Sequence, residues 1–115
     1  MNRIKPLLRN LIGIENSDDL MQEILGALKI TTSSPSVGKY YTFVYSPKSK
    51  NIQYDEFPLV AVTDIFPWGF RGINFHWGGP RQYTLSEVIG DLHLVYPQEF
   101  IDLRSIPYRK VRLRR

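Results

Sequence analysis

The amino-acid sequence predicts an α+β, β-rich domain: a small curved antiparallel sheet or an SH3-like, partly open barrel, preceded by one or two short helices. Three observations carry that expectation. Runs dense in aromatic and β-branched residues recur at 39–46 (KYYTFVYS), 57–66 (FPLVAVTDIF) and 70–77 (FRGINFHW). Turn-rich stretches containing Gly, Pro, Ser or Asn separate them, at 31–38, 46–51, 67–69 and 78–82. Helical spacing of apolar residues is confined to the first 30 residues and to a short stretch near 85–95. The chain therefore divides into an N-terminal helical segment (1–30), a linker (31–38) and a β-rich body ending in a basic tail (39–115), a single domain overall.

In chain order, Ile4, Leu7, Leu8, Leu11 and Ile12 follow the spacing of one apolar helix face over 3–12, with Pro6 tolerable only in the first turn. Asn16 or Ser17 is placed to cap a second helix, and Asp18 and Asp19 lie where its dipole favours negative charge. Leu20, Ile24, Leu25 and Leu28 give that helix a stripe running to about Lys29. In the first strand Tyr41, Phe43 and Tyr45 face one way, and Tyr40, Thr42 and Val44 the other. Pro58 is acceptable at the start of the second strand. Gly69 and Gly72 mark a positive φ or a close strand crossing around Trp68, Phe70, Phe75 and Trp77. Thr84 or Ser86 would cap the short helix near 85–95, with Leu85, Val88, Ile89 and Leu92 as its apolar face. Tyr96-Pro97 marks a turn, and 105–115 a closing strand with Val111 and Leu113 inward and Arg112 and Arg114 outward. Short strands with glycine-marked turns suit an SH3-like, partly open barrel.

Composition limits the chemistry. Among 115 residues there is no cysteine, which removes disulfides, thiolate zinc sites and cysteine nucleophiles together. With 43% hydrophobic and 13% aromatic residues the chain can build a core of its own. No apolar run approaches the roughly 20 residues of a membrane span, and the start, MNRIKPLLRNLIGI, lacks the cleavage site of a secretory leader. The net charge of +4 is a tail property. Residues 104–115 hold six basic residues and no acid, whereas 1–103 hold nine basic and eleven acidic residues.

No catalytic or metal motif stands out, and no cofactor is expected. His76 and His93 are the only histidines and form no HxH or HxxxH pair, so a packed, hydrogen-bonded role is expected for them. Asp55-Glu56 reads as a solvated turn. There is no GxSxG, and Gly78-Gly79-Pro80 lacks the lysine and spacing of a phosphate loop. The tail residues Arg104, Arg109, Lys110, Arg112, Arg114 and Arg115 admit three uses: docking onto an acidic protein neighbour, which leads, phosphate contact, or blunting an edge strand. Tyr40, Tyr41, Phe43 and Tyr45 could stack bases, but core packing is the expected role. An exposed Trp68 would mark a partner contact.

The block 38–77 also carries a resemblance. Its pattern G-K-x-Y-x-F-x-Y-x-P-K, Y-D-x-F-P-L and G-F-x-G-x-N-x-H falls on Gly38, Lys39, Tyr41, Phe43, Tyr45, Pro47 and Lys48, then Tyr54, Asp55, Phe57, Pro58 and Leu59, then Gly69, Phe70, Gly72, Asn74 and His76. This resembles a family of small virion-associated structural proteins of large contractile-tailed bacteriophages, including those infecting cyanobacteria. The resemblance covers about a third of the chain and departs at the Arg-rich C-terminus. It implies a component of a particle and transfers no catalytic residue. With it, Tyr54, Asp55, Phe57, Pro58, Gly69, Gly72, Asn74 and His76 are expected to be structural, Asn74 and His76 sharing a strand face and satisfying buried backbone groups. The resulting expectation is a non-enzymatic adaptor of a phage tail or baseplate, assembled in the host cytoplasm and resident in the virion. It would contact other virion proteins through Leu7, Leu8 and Leu11 at one end and the basic tail at the other. The alternative is an SH3-like or OB-like nucleic-acid-binding module using the tail.

Overall fold

A computed structural model describes residues 1–115. The chain opens with a 3-10 turn at Lys5–Leu7 that continues into the short helix α1 (Leu8–Leu11). Pro6 sits in this first turn, where a missing N–H leaves no bond unmade. The Asn2 side-chain oxygen Oδ1 accepts from the Ile4 and Lys5 amides and holds the turn in place. Gly13, at φ +91°, ends the segment. Helix α2 (Ser17–Ala27) starts where the sequence places its cap: Asn16 Oδ1 accepts from the Asp18 and Asp19 amides. It stops two residues earlier than the apolar stripe suggests.

Eight strands follow. They are β1 (Thr31–Thr32), β2 (Tyr40–Tyr45), β3 (Ile52–Asp55), β4 (Leu59–Phe66), β5 (Gly69–Asn74), β6 (Pro80–Thr84), β7 (Val88–Val95) and β8 (Val111–Arg114), with helix α3 (Pro97–Ser105) between the last two. Six strands form one antiparallel sheet in the order β1-β7-β2-β4-β5-β6, and β3 pairs with β8 as a separate ribbon. The fold is thus α+β with an antiparallel sheet, as the aromatic runs predict, and the sheet is not closed into a barrel.

The predicted helix near 85–95 is overturned. Only Leu85–Glu87 makes a single 3-10 turn, and Val88–Val95 is a strand paired along its length with β2. Gly90 lies at φ +76°, a conformation no helix interior accepts, and it sits in a bulge where the β2 register shifts between Thr42 and Val44. The spacing of Leu85, Val88, Ile89 and Leu92 fits a helix by coincidence: Ile89 is exposed while Leu92 is buried. Conversely, 97–105 is helical. Pro97 occupies the first turn, and the Glu99 carboxylate accepts from the Tyr96 amide at 2.9 Å, closing the N-terminus. Further corrections concern strands. Asp55, expected in a solvated turn, ends a strand paired with β8, and 80–82, expected in a turn, belong to a strand paired with β5. Thr31–Thr32, inside the expected linker, pairs with β7. Strand β8 does not close the main sheet, and Val111 and Leu113 are exposed on it.

The sheet has an apolar layer on each face. Against one face pack the two N-terminal helical pieces and α3, bringing Ile4, Leu20, Ile24, Leu28 and Leu103 onto Leu59 and Val95. On the other face Tyr41, Phe43, Tyr45, Phe70 and Tyr83 pack with Val60, Val62 and Leu92. Phe43 meets the rings of Phe70 and Tyr83 edge to face at 5.8 and 5.4 Å, the geometry that ring quadrupoles favour. Close approach explains Gly72: a Cβ there would run into the Val60 side chain and the Ala61 carbonyl. Gly69 likewise lies against the Tyr83 carbonyl, and neither glycine has positive φ.

Candidate functional site

Two charged regions answer to the residues singled out in the sequence. One is buried. Asp55, at the end of β3, is 3% exposed and not a solvated turn. Its Oδ1 accepts from the Phe57 amide at 3.1 Å and the Lys110 amide at 3.3 Å. Its Oδ2 faces His76 Nδ1 at 2.7 Å and Asn74 Nδ2 at 3.4 Å. A carboxylate removed from water needs this many donors, and they come from just after β3, from the end of β5 and the turn after it, and from just before β8. Asn74 also donates to the Tyr83 hydroxyl at 3.0 Å, and its Oδ1 accepts from the His76 and Trp77 amides. Asn74 closes β5, and its side-chain oxygen satisfies two partly buried backbone amides. His76 differs from the expectation: it lies in the turn after β5, and its ring serves the Asp55 carboxylate, not backbone. The ring packs edge to face on Tyr108 at 4.7 Å.

Beside this network Thr42 and Tyr108, both fully buried, bring their hydroxyls within 3.0 Å. Thr42 donates to the Pro58 carbonyl, so its oxygen is left to accept the Tyr108 proton. Burial pushes the Tyr108 and Tyr83 hydroxyls well above the ordinary tyrosine range. Burial first, then the hydrogen bond to Glu87, raises Tyr45 to about 12. An Asp–His pair is half of a proton-relay arrangement. Here, however, His76 Nε2 is buried with no hydrogen-bond partner, so no hydroxyl is held against it as a nucleophile would be. Nor do three or more His, Asp or Glu side chains converge as a metal site requires.

The second region runs from a part-buried ion pair between the N-terminal segment and α3 to the exposed basic tail. Arg3 reaches the fully buried Glu99 through Nε and Nη2, each at 2.8 Å. Burial alone would raise the Glu99 carboxyl, but hydrogen bonds from the Arg3 side chain and from the Tyr96 and Arg3 amides outweigh it and hold it below the usual range. This pins the N-terminus onto α3. Leu11 is buried and Leu7 and Leu8 are half-buried against the protein's own core. Beside them Leu8, Leu11, Ile12 and Leu20 line an open apolar groove of about 340 Å³, bounded by Ile106 and Pro107. Across Ile106 and Pro107 lies a second cavity of about 320 Å³, whose walls include Phe75, His76, Arg104 and Arg109.

The basic residues divide into two kinds. Lys110 Nζ pairs with Asp18 at 2.8 Å and Glu56 at 3.4 Å, and Arg112 with Glu56 at 3.4 Å. The hydrogen bond to Asp18 raises the Lys110 amine further. Arg104, Arg109, Arg114 and Arg115 are exposed and form no ion pair. Sequence reasoning missed Thr42, Tyr83, Tyr108 and the Arg3–Glu99 pair. Nothing local marks them, since each partner lies 9 to 96 residues away along the chain. Trp68, 44% exposed, stacks flat on Phe66 at 5.0 Å at the tip of the β4–β5 hairpin.

Comparison with protein-family models, with curated proteins and with solved structures finds no match for this chain. No helix is long and apolar enough to cross a membrane.

Proposed function

We propose that this chain is a non-enzymatic structural protein of a tailed-bacteriophage particle, an adaptor of the tail or baseplate that resides in the virion. The observation that carries the reading is the division of labour in the fold. Most residues of the phage-like pattern lie inside: Tyr41, Phe43, Phe70 and Gly72 in the sheet, and Asp55, Asn74 and His76 in the buried network, while Gly38, Lys39 and Lys48 are exposed. The pattern therefore describes a scaffold. What faces outward is contact chemistry: the groove beside Leu8, Leu11 and Ile12, the unpaired arginines, and the Phe66–Trp68 tip. The contact expected through Leu7, Leu8 and Leu11 is altered in one respect. The N-terminal segment orders against its own body, so it presents a formed surface to a neighbour.

Mass spectrometry of purified particles tests the proposal. The chain should be present at a fixed copy number, and its absence would refute a virion role. The four unpaired arginines of the C-terminal tail support a second reading, nucleic-acid binding. That reading requires affinity for DNA that falls steeply with salt and drops when Arg109, Arg114 and Arg115 are changed to Gln.

A further inference from the structure

We infer that the groove at Leu8–Ile12 and the arginine cavity at Arg104 and Arg109 form one docking site for an acidic, apolar segment of a partner protein. The inference rests on the adaptor reading and gives the partner its chemistry. The two cavities meet at Ile106 and Pro107, so a single extended segment can lie across both. The first is apolar, and Ile12, 81% exposed, stands at its edge without a covering neighbour. The second has two guanidiniums in its wall and no acid.

Those guanidiniums have donors to offer. Arg104 lies over the rings of Phe75 and Phe100, at 5.4 and 5.7 Å, a contact that orients the planar group without engaging its N–H donors. Arg109 commits one N–H to the His76 carbonyl, at 3.1 Å. Each guanidinium carries five N–H donors in a rigid fork that matches a carboxylate.

The apolar half favours a protein segment over nucleic acid, because a phosphate backbone has nothing to place beside Ile12 and Leu8. The neighbouring cations argue the same way. Lys110 and Arg112 are already neutralised by Asp18 and Glu56, which interrupts any basic stripe along the tail.

The test is selection of a random peptide library on the full chain, followed by titration of the enriched peptides. Enriched peptides should carry Asp or Glu next to large apolar residues. The double substitution Arg104→Gln with Arg109→Gln should weaken them by about tenfold or more, which is about 1.4 kcal/mol. Ile12→Ser should also weaken them, and Ile12 is exposed enough for the variant to fold. Arg114→Gln with Arg115→Gln should leave affinity within about twofold, since neither residue lines the site. The assignment is overturned by no enrichment, by peptides without acids, by affinity indifferent to Arg104 and Arg109, or by a short DNA duplex displacing the peptide from those arginines. Self-association abolished by Ile12→Ser would also overturn it, making a second copy the occupant. Particle composition is read independently. A chain found in particles but without acid preference loses only this site; a chain that binds acidic peptides but is absent from particles loses only the virion role.

Discussion

The Lys110 backbone amide donates to the Asp55 carboxylate, yet the charged groups of the two residues lie in opposite surroundings. The Asp55 carboxylate is sealed inside with Asn74, His76 and two amides around it. The Lys110 amine and the Arg112 guanidinium reach Asp18 and Glu56 at the surface, where water competes for every bond. A pair of charges at one separation interacts several times more strongly near low-dielectric protein than in water, but the buried charge also has no fallback if a partner is lost. The buried network should therefore hold the fold together, and the surface ribbon should contribute little to it while remaining free to engage a neighbour.

Removing the centre of the buried network tests this most severely. Asp55→Ala strands four donors from three segments and should cost about 3–5 kcal/mol, measured as a shift of the urea midpoint. That is a large part of the roughly 5–15 kcal/mol a domain has. If Asp55→Ala matches Lys110→Ala, the distinction between inside and outside is wrong.

The second buried charge should follow. Glu99→Gln should cost roughly 2–3 kcal/mol, because Arg3 loses its charged acceptor. The pH dependence has a definite sign. Glu99 is held below its unfolded value near 4.5, so its contribution is full above that pH and is lost as pH falls through the lower, folded value. Stability of the natural chain should decline in that acid window, and the decline should be shallower in Glu99→Gln.

Tyr108→Phe is milder, about 1–2 kcal/mol, since it removes one hydroxyl pair and leaves the ring in place. Its alkaline counterpart is visible by ultraviolet titration. Tyr45, Tyr83 and Tyr108 are raised in the fold, so they stabilise it below pH 10, and that contribution is lost as pH climbs toward 12 and beyond. These three of the seven tyrosines should resist ionisation until the chain unfolds.

The smallest effect belongs to the surface. Lys110→Ala should cost less than about 1 kcal/mol and the difference should shrink in high salt. A larger loss would mean that the Asp18–Lys110–Glu56 cluster acts as structure.

The two regions were unequally legible. Strands β2, β4 and β5 announce themselves, because alternating aromatic and β-branched residues are a local signal with a period of two. The start of α2 is equally plain in Asn16, Asp18 and Asp19. The basic tail can be counted directly, but which of its charges are paired cannot. Asp55 looked like a solvated turn because its donors, Asn74, His76 and Lys110, lie 19, 21 and 55 residues further on.

Local pattern by itself determined the fold class, the main strands, the second helix and the absence of cysteine chemistry, since propensity, period and composition are properties of neighbouring residues. Only the tertiary structure decided that 88–95 is a strand, where pairing with β2 overrides a helical spacing, and that 97–105 is a helix. It alone decided that Leu8, Leu11 and Ile12 share a groove with Ile106 and Pro107 and that Asp55 lies buried among donors beside β3, β5 and β8. The physical reason is the same in each case: burial and partner choice depend on what the folded chain brings close, and no short window of sequence contains that information.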